Sequence, residues 1–313
     1  MLTTRRDFGK LALVAVPSVF ARAAKIDSKF HGVQIGAITY SFNSIANPDV
    51  EAIIRAYVEI GLGETELMSN HCEALAGAPR AAGRGRGATL TPEQQAARQA
   101  QQEQLRAWRT SANAATWQGV RKKFNDAGVA VSVLCYNMND NMQDSDIEYG
   151  FSMAEGLGVR AISTSTTLSM AKRIAPIADR HKLLVGYHGH DATNDPNQTA
   201  TLESYDTLMA YGKYSGVNLD IGHFTAANYD AVEFIRKHHA RITNLHVKDM
   251  KRDHGAYTPF GEGDTPMKGV LQLLKKEKYD FPANIELEYP IPAGSNLISE
   301  MKRCLAFCKD CLA

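Results

Sequence analysis

Residues 217–249 read VNLDIGHFTAANYDAVEFIRKHHARITNLHVKD, and this stretch contains the unit from which the rest of the fold can be worked out. An apolar run opens the segment and a second one closes it, which is typical of buried strands. Between them, apolar residues recur at helical spacing from Tyr229 to His238. A strand, an amphipathic helix and a second strand in so short a stretch predict a crossover unit with parallel strands.

The same alternation continues in both directions and predicts eight strands. They are Val33–Thr39, Glu64–Met68, Val129–Cys135, Arg160–Ser163, Leu183–His188, Val217–Ile221, Thr243–Val247 and Ala283–Glu288. Further amphipathic segments are predicted at Pro48–Ile60, Ser145–Leu157 and Met267–Lys278. Eight such units favour an α/β fold of a single domain, a (β/α)8 TIM barrel over residues 24–313. An open doubly wound sheet is the alternative, but the first strand runs into YSFN at 40–43 instead of a Gly-rich phosphate loop.

An insertion at residues 71–125 interrupts the alternation after the second strand. Its first part, HCEALAGAPRAAGRGRGATLTP at 71–92, is rich in Gly, Ala and Arg, and Pro92 opens a long helical stretch that continues to about Asn125. Because the insertion follows the carboxyl end of a strand, it is predicted on the face of the barrel where active sites form. Two interpretations stay open: a solvated loop, or a lid that touches the substrate through Arg80, Arg84 and Arg86.

The first 23 residues resemble a twin-arginine export signal. A paired arginine in RRDFGK at 5–10 precedes an apolar run at 11–20 and a small-residue cleavage site, ARA, at 21–23. This resemblance implies that the twin-arginine export machinery is a partner and that the mature protein is periplasmic or otherwise exported. The apolar run is short for a bilayer, so we expect no stable membrane anchor. A basic amphipathic helix of the mature protein is the alternative.

Composition and charge narrow the class of protein. The chain is 44% hydrophobic and 22% charged, which is ordinary for a globular protein with a substantial core. Removal of residues 1–23 takes away four basic residues and one acidic residue, so the formal net charge changes from +1 to −2. That sign argues against a nucleic-acid partner. The five cysteines, three of them close together near the C-terminus, are predicted to be buried or idle thiols.

Four successive predicted strands end in polar side chains that a barrel interior does not normally hold. The stretches are YHGHD at 187–191, LDIGH at 219–223, LHVKD at 245–249 and IELE at 285–288. Side chains alternate along a strand, so one set faces the barrel axis when the apolar partners face the helices. The inward set is His188, Asp220, His246 and Glu286. One step nearer the mouth follow His190, Lys248 and Glu288.

Two carboxylates and two imidazoles that converge would repel one another unless a cation neutralised them, which predicts a divalent metal ion. Any one of these residues alone is more often a structural group, and it is the conjunction of four that carries the prediction. Mixed nitrogen and oxygen ligands favour Mn²⁺, Zn²⁺, Co²⁺ or Fe²⁺ over Ca²⁺, and Mg²⁺ stays open.

The chain resembles the sugar phosphate isomerase/epimerase superfamily, also called the xylose isomerase-like barrels. The resemblance rests on these four stretches together with ITYSF at 38–42, ELM at 66–68 and GEGD at 261–264, and it covers nearly all of the mature chain. It implies a divalent ion, most often Mn²⁺, held at the ends of strands five to eight. It also implies that His223 and Arg252 approach substrate hydroxyls.

One position departs from the family pattern. Epimerases of this kind carry one Glu at strand five and another at strand eight, which remove and return a proton on opposite faces of an enediolate. Here His188 stands at the first position, and a metal-bound imidazole is a poor base. The candidate catalytic residues are Glu286, Glu66, His190 and His223. The candidate substrate contacts are Lys248, Arg252, His71 and Glu288.

The leading hypothesis is a metal-dependent sugar isomerase or epimerase that abstracts a proton next to a carbonyl and stabilises the enediolate. A keto-sugar lyase or hydratase would use the same site, since loss of that proton lets a β-substituent leave, and His188 and the export signal favour it. A metal-dependent phosphodiesterase or endonuclease and a non-catalytic sugar-binding protein are the other hypotheses. The sequence leaves the substrate and a homo-oligomeric state open.

Overall fold

The computed structural model describes residues 24–47, 49–79 and 91–313, and its centre is a closed barrel of parallel strands. The strands are β1 (Val33–Ile38), β2 (Glu64–Met68), β3 (Ala130–Cys135), β4 (Ala161–Ser165), β5 (Leu184–His188), β6 (Ser215–Asp220), β7 (Ile242–Val247) and β8 (Ala283–Ile285). Each strand pairs with its successor, and β8 pairs with β1 to close the ring. The predicted TIM barrel is therefore confirmed, and the open sheet is excluded.

Helices surround the barrel and connect successive strands. They are α1 (Glu51–Ile60), α2 (Ser69–Leu75), α3 (Pro92–Ser111), α4 (Ala114–Asp126), α5 (Asp144–Leu157), α6 (Leu168–His181), α7 (Leu202–Ala210), α8 (Ile221–Ala226), α9 (Ala231–His238), α10 (Met267–Glu277) and α11 (Leu297–Leu312). A short antiparallel pair, Asp249–Met250 with Tyr257–Thr258, lies after β7. A second short strand, Lys29–Phe30, pairs antiparallel with β1.

The main apolar core lies between the barrel and the helices. Tyr187, Leu219 and Leu245 alternate with the polar strand-end residues, and each is fully buried in this core. The Tyr187 hydroxyl donates a hydrogen bond to the carbonyl of Ala171 in α6, at 3.2 Å. Burial of each large apolar side chain stabilises the fold by about 2 kcal/mol. Because side chains alternate along a strand, the residues that follow them, His188, Asp220 and His246, point towards the barrel axis.

The insertion differs from the prediction in two respects. Helix α2 occupies the start of the segment that was predicted to be a loop, and the long helical stretch is divided into α3 and α4. The division has a local cause, because the Asn113 side chain accepts hydrogen bonds from the backbone N–H groups of Ala115 and Thr116 and so begins a new helix. The arginines of the proposed lid, Arg80, Arg84 and Arg86, lie outside the described residues.

Buried polar contacts join the insertion to the barrel. Arg109 of α3 makes a two-point ion pair with Glu73 of α2, with nitrogen to oxygen distances of 2.7 and 3.1 Å. Tyr149 of α5 donates a hydrogen bond to the same carboxylate at 2.8 Å. The rings of Trp108 and Trp117 meet edge to face at 5.9 Å, which packs α3 against α4.

The predicted export signal at residues 1–23 lies outside the described residues. In the part of the chain that is described, no helix has the length and apolar character needed to cross a bilayer. All five cysteines are free and buried, as predicted. Burial raises the pKa of Cys304 to about 12, so this thiol is unreactive near neutral pH.

Candidate metal centre and active site

The carboxyl ends of β5 to β8 bring the four predicted ligands to one point. His188 ends β5, Asp220 ends β6, His246 lies near the end of β7, and Glu286 follows β8 directly. One nitrogen or oxygen atom from each residue lies within 4.8 Å of those of the other three. None of the four is more than 6% exposed. The cluster therefore has the residue types and the spacing that a divalent ion requires.

Each residue of this cluster also has a buried polar atom without a hydrogen-bond partner in the described part of the chain. The atoms are His188 Nδ1, Asp220 Oδ2, His246 Nδ1 and Glu286 Oε2. Buried polar atoms in folded proteins normally have a partner, because desolvation without one is costly. Four such atoms contributed by neighbouring strand ends fit a metal ion, which would satisfy them together.

Lys248 brings a positive charge to this cluster but leaves two of its carboxylate oxygens without a hydrogen-bond partner. Its ammonium lies 3.0 Å from Asp220 Oδ2 and 2.9 Å from Glu286 Oε2, and it also contacts Glu288. The contacts with Asp220 and Glu286 lack hydrogen-bond geometry, since both oxygens remain without a partner. Burial disfavours the charged lysine, but these carboxylates raise its pKa well above the usual value. Lys248 and Glu288, two of the predicted substrate contacts, therefore pair with each other at the cavity wall.

Four carboxylates, those of Glu66, Asp220, Glu286 and Glu288, contact the two basic side chains of His246 and Lys248 in and around the cluster. Burial raises the pKa of Glu286, but His246 and Lys248 outweigh it and hold this pKa well below the usual value, so the carboxylate is ionised. Burial disfavours a cationic His246, yet Glu286 and Glu66 raise its pKa well above the usual value. Buried carboxylates that pull a proton onto a neighbouring imidazole would also attract a dication.

Three imidazoles form the wall on one side of the cluster. The ring of His190, in the loop after β5, lies with its centroid 4.7 Å from that of His188 and 5.0 Å from that of His223. Burial, with a smaller effect from His223, lowers the pKa of His190 to about 4. His190 is therefore neutral near pH 7, and one of its ring nitrogens can accept a proton.

His223 is held by a carboxylate that the sequence analysis did not single out. It lies on α8, and its Nδ1 is 3.0 Å from Asp191 Oδ1, while the other oxygen of Asp191 is 3.0 Å from His254 Nδ1. The hydrogen bond with His223 outweighs burial and lowers the pKa of Asp191. An ionised carboxylate only accepts hydrogen bonds, so Nδ1 of His223 carries the hydrogen and Nε2 is left for the cavity. Asp191 was visible as the last residue of YHGHD, but nothing in sequence marks which histidine it contacts.

The two carboxylate oxygens of Asp220 make different contacts, one with the start of α8 and one within the ligand cluster. Its Oδ1 accepts hydrogen bonds from the backbone N–H groups of Gly222 and His223, both at 2.9 Å, and so caps α8. Its Oδ2 belongs to the ligand cluster. His223 follows the predicted strand Val217–Ile221, and the cap provided by Asp220 explains why a short helix forms there.

Glu66 lies beneath the cluster, at the base of the central cavity. The carboxylate is fully buried in β2, with Oε2 2.7 Å from His246 Nε2 and 2.7 Å from Asn244 Nδ2. Ser163 donates a hydrogen bond to Oε1. Because both oxygens are occupied by donors, this geometry does not favour the predicted role of Glu66 as a base.

Two predicted substrate contacts, Arg252 and His71, lie away from the ligand cluster. Arg252 is exposed in the turn between Met250 and Tyr257 and does not line the central cavity. His71 lies on α2, where its Nδ1 is 3.0 Å from the Thr39 hydroxyl, and it lines a separate cavity beside the insertion. In both cases the backbone leaves the strand end in a direction that strand alternation alone does not specify.

The cluster lies at the bottom of a cavity of about 360 Å³ at the barrel mouth. Its wall combines polar groups with apolar and aromatic surface, the latter contributed by Ile38, Tyr40, Met68 and Tyr257. This size and this mixed lining suit one small polar molecule.

Comparison with known proteins agrees with this architecture. Residues 165–310 match the family described as xylose isomerase-like TIM barrel. This part of the chain is similar to xylose isomerase-like TIM barrels. The match begins at the end of β4 and includes every candidate ligand, so the part of this barrel that is similar to the family is the part that holds the cluster.

The individual proteins that are similar to this chain are distant from it in sequence. An inosose dehydratase from Clostridium tetani is 28% identical over 143 residues, which cover 40% of this chain and 46% of that protein. The chain thus matches about half the length of this curated relative. A sugar phosphate isomerase/epimerase from Parabacteroides distasonis has the same fold, with 15% identity, coverage of 91% and 96% of the two chains and a TM-score of 0.58. D-psicose 3-epimerase from Clostridium cellulolyticum gives 11% identity, 90% and 99% coverage and a TM-score of 0.62.

Proposed function

We propose that this protein is a metal-dependent carbon–oxygen lyase that removes water from a polyhydroxylated ketone, a keto-sugar or keto-cyclitol. The observation that carries the proposal is the set of unpartnered buried atoms on His188, Asp220, His246 and Glu286. These residues would hold a divalent ion, with Mn²⁺ favoured by the family resemblance. When bound there, the ion would polarise the substrate carbonyl and stabilise negative charge on its oxygen.

His190 is the base in this proposal. It lines the cavity beside His188, and its low pKa leaves it neutral and ready to accept a proton at neutral pH. In the first step, His190 takes the proton from the carbon next to the carbonyl. Glu286 is a weaker candidate for this role, because its carboxylate is engaged by His246 and Lys248.

His223 is the acid that completes the elimination. The step uses the cationic ring: Asp191 accepts a hydrogen bond from Nδ1–H and stabilises the imidazolium, and the second hydrogen, on Nε2, is donated to the hydroxyl on the β-carbon. The carbon–oxygen bond breaks, the hydroxyl leaves as water, and the electron pair from the broken carbon–hydrogen bond becomes the new double bond. The proton taken by His190 and the proton given by His223 balance the reaction.

Elimination is favoured over epimerisation by the residue at the end of β5. An epimerase of this family would use two carboxylates on opposite faces of the substrate, and His188 stands where one of them would be. The name of the relatives, inosose dehydratase, supports the same choice. Isomerisation or epimerisation shares the first step, so it is the natural second outcome of the test.

The test is a reaction in deuterated water. The protein is loaded with Mn²⁺ and incubated with keto-sugars and inososes, and NMR follows both loss of water and uptake of deuterium next to the carbonyl. We expect a dehydrated product. Deuterium exchange without elimination would replace the lyase by an isomerase or epimerase. Neither exchange nor elimination by the metal-loaded protein would contradict the proposal.

We also propose that the protein acts outside the cytoplasm. This rests on RRDFGK at 5–10, the apolar run and ARA at 21–23. Expression of the full chain, followed by fractionation, should recover the shortened protein with the periplasmic proteins. Replacement of Arg5 and Arg6 by lysine should retain it in the cytoplasm, and unchanged export of that variant would contradict the proposal.

A further inference from the structure

A repeated pattern lies directly beneath the ligand cluster. In β6, β7 and at β8, an asparagine precedes the candidate ligand by two residues, as Asn-Leu-Asp at 218–220, Asn-Leu-His at 244–246 and Asn-Ile-Glu at 284–286. Side chains two apart on a strand share a face, so the three asparagines form a tier one step below the ligands. Asn218, Asn244 and Asn284 are all fully buried.

The three asparagines converge on a single carboxylate, that of Glu66. Asn244 and Asn284 donate to its Oε2 at 2.7 and 3.2 Å, and Asn218 donates to its Oε1 at 3.3 Å. Glu66 comes from β2, which is not adjacent to any of these strands in the barrel order. The carboxylate therefore spans the barrel interior and is held there from several sides.

The imidazole of His246 lies directly above the Glu66 carboxylate and contacts it. Its Nε2 lies 2.7 Å from Glu66 Oε2, and its Nδ1 lies 2.8 Å from Glu286 Oε2 and 4.0 Å from Asp220 Oδ2. Oε2 already accepts from two asparagines, so the hydrogen between it and Nε2 belongs to the imidazole. The approach of Asn218 Nδ2 to the same Nε2, at 3.1 Å, is then a contact between two donors and not a hydrogen bond.

We infer that Glu66 is a positioning residue that fixes the tautomer of His246, with hydrogen on Nε2 and the lone pair of Nδ1 directed into the ligand cluster. A carboxylate that accepts from the far nitrogen of a ligating histidine orients the ring and makes it a stronger ligand. The asparagine tier holds Glu66 at the height where it can do this. The inference rests on the proposed metal site. It makes Glu66 a positioning residue, whereas the sequence analysis named it as a candidate catalytic residue.

The first experiment needs no variant. NMR of the protein labelled with ¹⁵N-histidine, with His246 assigned by the loss of its signals in His246→Gln, reports which ring nitrogen carries hydrogen. We expect hydrogen on Nε2 of His246 with and without metal, and zinc on Nδ1 in place of the hydrogen that this nitrogen carries in the metal-free, cationic ring. Zinc bound through Nε2, or an Nε2 without hydrogen in either form, would overturn the inference.

The second experiment compares two carboxylates of the same strand. Glu66→Gln removes the charged acceptor under His246, whereas Glu64→Gln is a matched control. Glu64 is also buried but contacts Ser132, and burial raises its pKa to about 8, so a neutral amide replaces a carboxyl group that is already neutral. Zn²⁺ affinity is measured by competition with a chromophoric chelator, and thermal unfolding shows whether each variant is folded.

We expect Glu66→Gln to weaken Zn²⁺ binding by about 10- to 100-fold, the usual effect of losing such a partner, and Glu64→Gln to leave it unchanged. Equal affinity in Glu66→Gln and the unsubstituted protein would overturn the inference and leave the metal site intact. Absence of Zn²⁺ binding by the unsubstituted protein would instead refute the proposed function. The presence or absence of hydrogen on Nε2 of His246 in the metal-free protein would then still decide whether Glu66 accepts from this nitrogen.

Discussion

The two halves of the barrel contribute unequally to the site. Strands β5 to β8 supply all four candidate ligands, the asparagine tier and the histidines of the mouth. Strands β1 to β4 supply Glu66 and Ser163 to the layer beneath and accept the long insertion after β2. The family match also covers the second half, residues 165–310. The comparison indicates that the residues of the candidate site are concentrated in one half of the barrel, while the other half closes the barrel and supports the cluster from below.

The largest effect is expected from the ligand cluster of the second half. His246→Ala or Glu286→Ala should abolish metal binding and all measurable turnover, because the ion supplies several kcal/mol of transition-state stabilisation. Elemental analysis and turnover assays check this. His239→Ala, which changes an exposed histidine just before β7, serves as the control and should keep both. A full metal equivalent in both ligand variants would refute the assignment.

Removal of the proposed base should separate catalysis from metal binding. His190→Ala should keep one metal equivalent and lower kcat by about 10³-fold, within the range for loss of a general base. Rates and metal content are measured on the same preparation. An unchanged kcat would exclude His190 as the base and return attention to Glu286.

A smaller effect is expected from the partner of the proposed acid. Asp191→Asn leaves the imidazole of His223 in place but no longer fixes its tautomer, so kcat should fall by about 10²-fold with the metal retained. Asp195→Asn, at an exposed position of the same loop, is the control, and its kcat should be close to that of the unsubstituted protein. Equal rates for the two variants would show that Asp191 does not act through His223.

In the first half of the barrel, protonation of His71 at low pH should lower the free energy of unfolding without affecting catalysis. Burial lowers the pKa of His71 to about 4, so the unfolded chain binds this proton more readily. The neutral His71 makes its full contribution to the free energy of unfolding above pH 6.5. Up to about 3 kcal/mol of this free energy is lost as the pH falls towards 4. His71→Gln should reduce the slope of stability against pH in this window, as measured by urea unfolding. An identical slope would place the acid sensitivity elsewhere.

The smallest effect is expected from the joint between the insertion and the barrel. Arg109→Met leaves Glu73 with Tyr149 as its remaining partner and should lower the free energy of unfolding by about 1 to 3 kcal/mol. Metal content should not change. Arg106→Met, at an exposed position of the same helix, is the control for thermal unfolding. Loss of metal in the Arg109 variant would show that the two halves are coupled more tightly than their contacts indicate.

The strand order and the convergence of the cluster were predictable because they depend on periodicity. Side chains alternate along β6 and β7, so Leu219 and Leu245 face the helices. Asp220 and His246 therefore face the barrel interior, where they lie close together. The functional roles of the cluster residues remain predictions.

Contacts made by loops and across the barrel were not predictable in the same way. Alternation does not specify where a turn directs Arg252, which histidine Asp191 contacts, or that Asn113 begins a new helix. The three Asn-x-ligand repeats were visible in the sequence, but their meaning appears only when Glu66 is brought across the barrel.

The cap that Asp220 provides for α8 has a consequence for how this site can change. One oxygen of the side chain fixes the start of the helix that carries His223, and the other belongs to the cluster. A shift of this carboxylate would move the proton donor at the same moment as it altered the ligand set. A substitution at position 220 would therefore alter both the candidate ligand set and the start of the helix that carries His223, and neither could be changed there without the other.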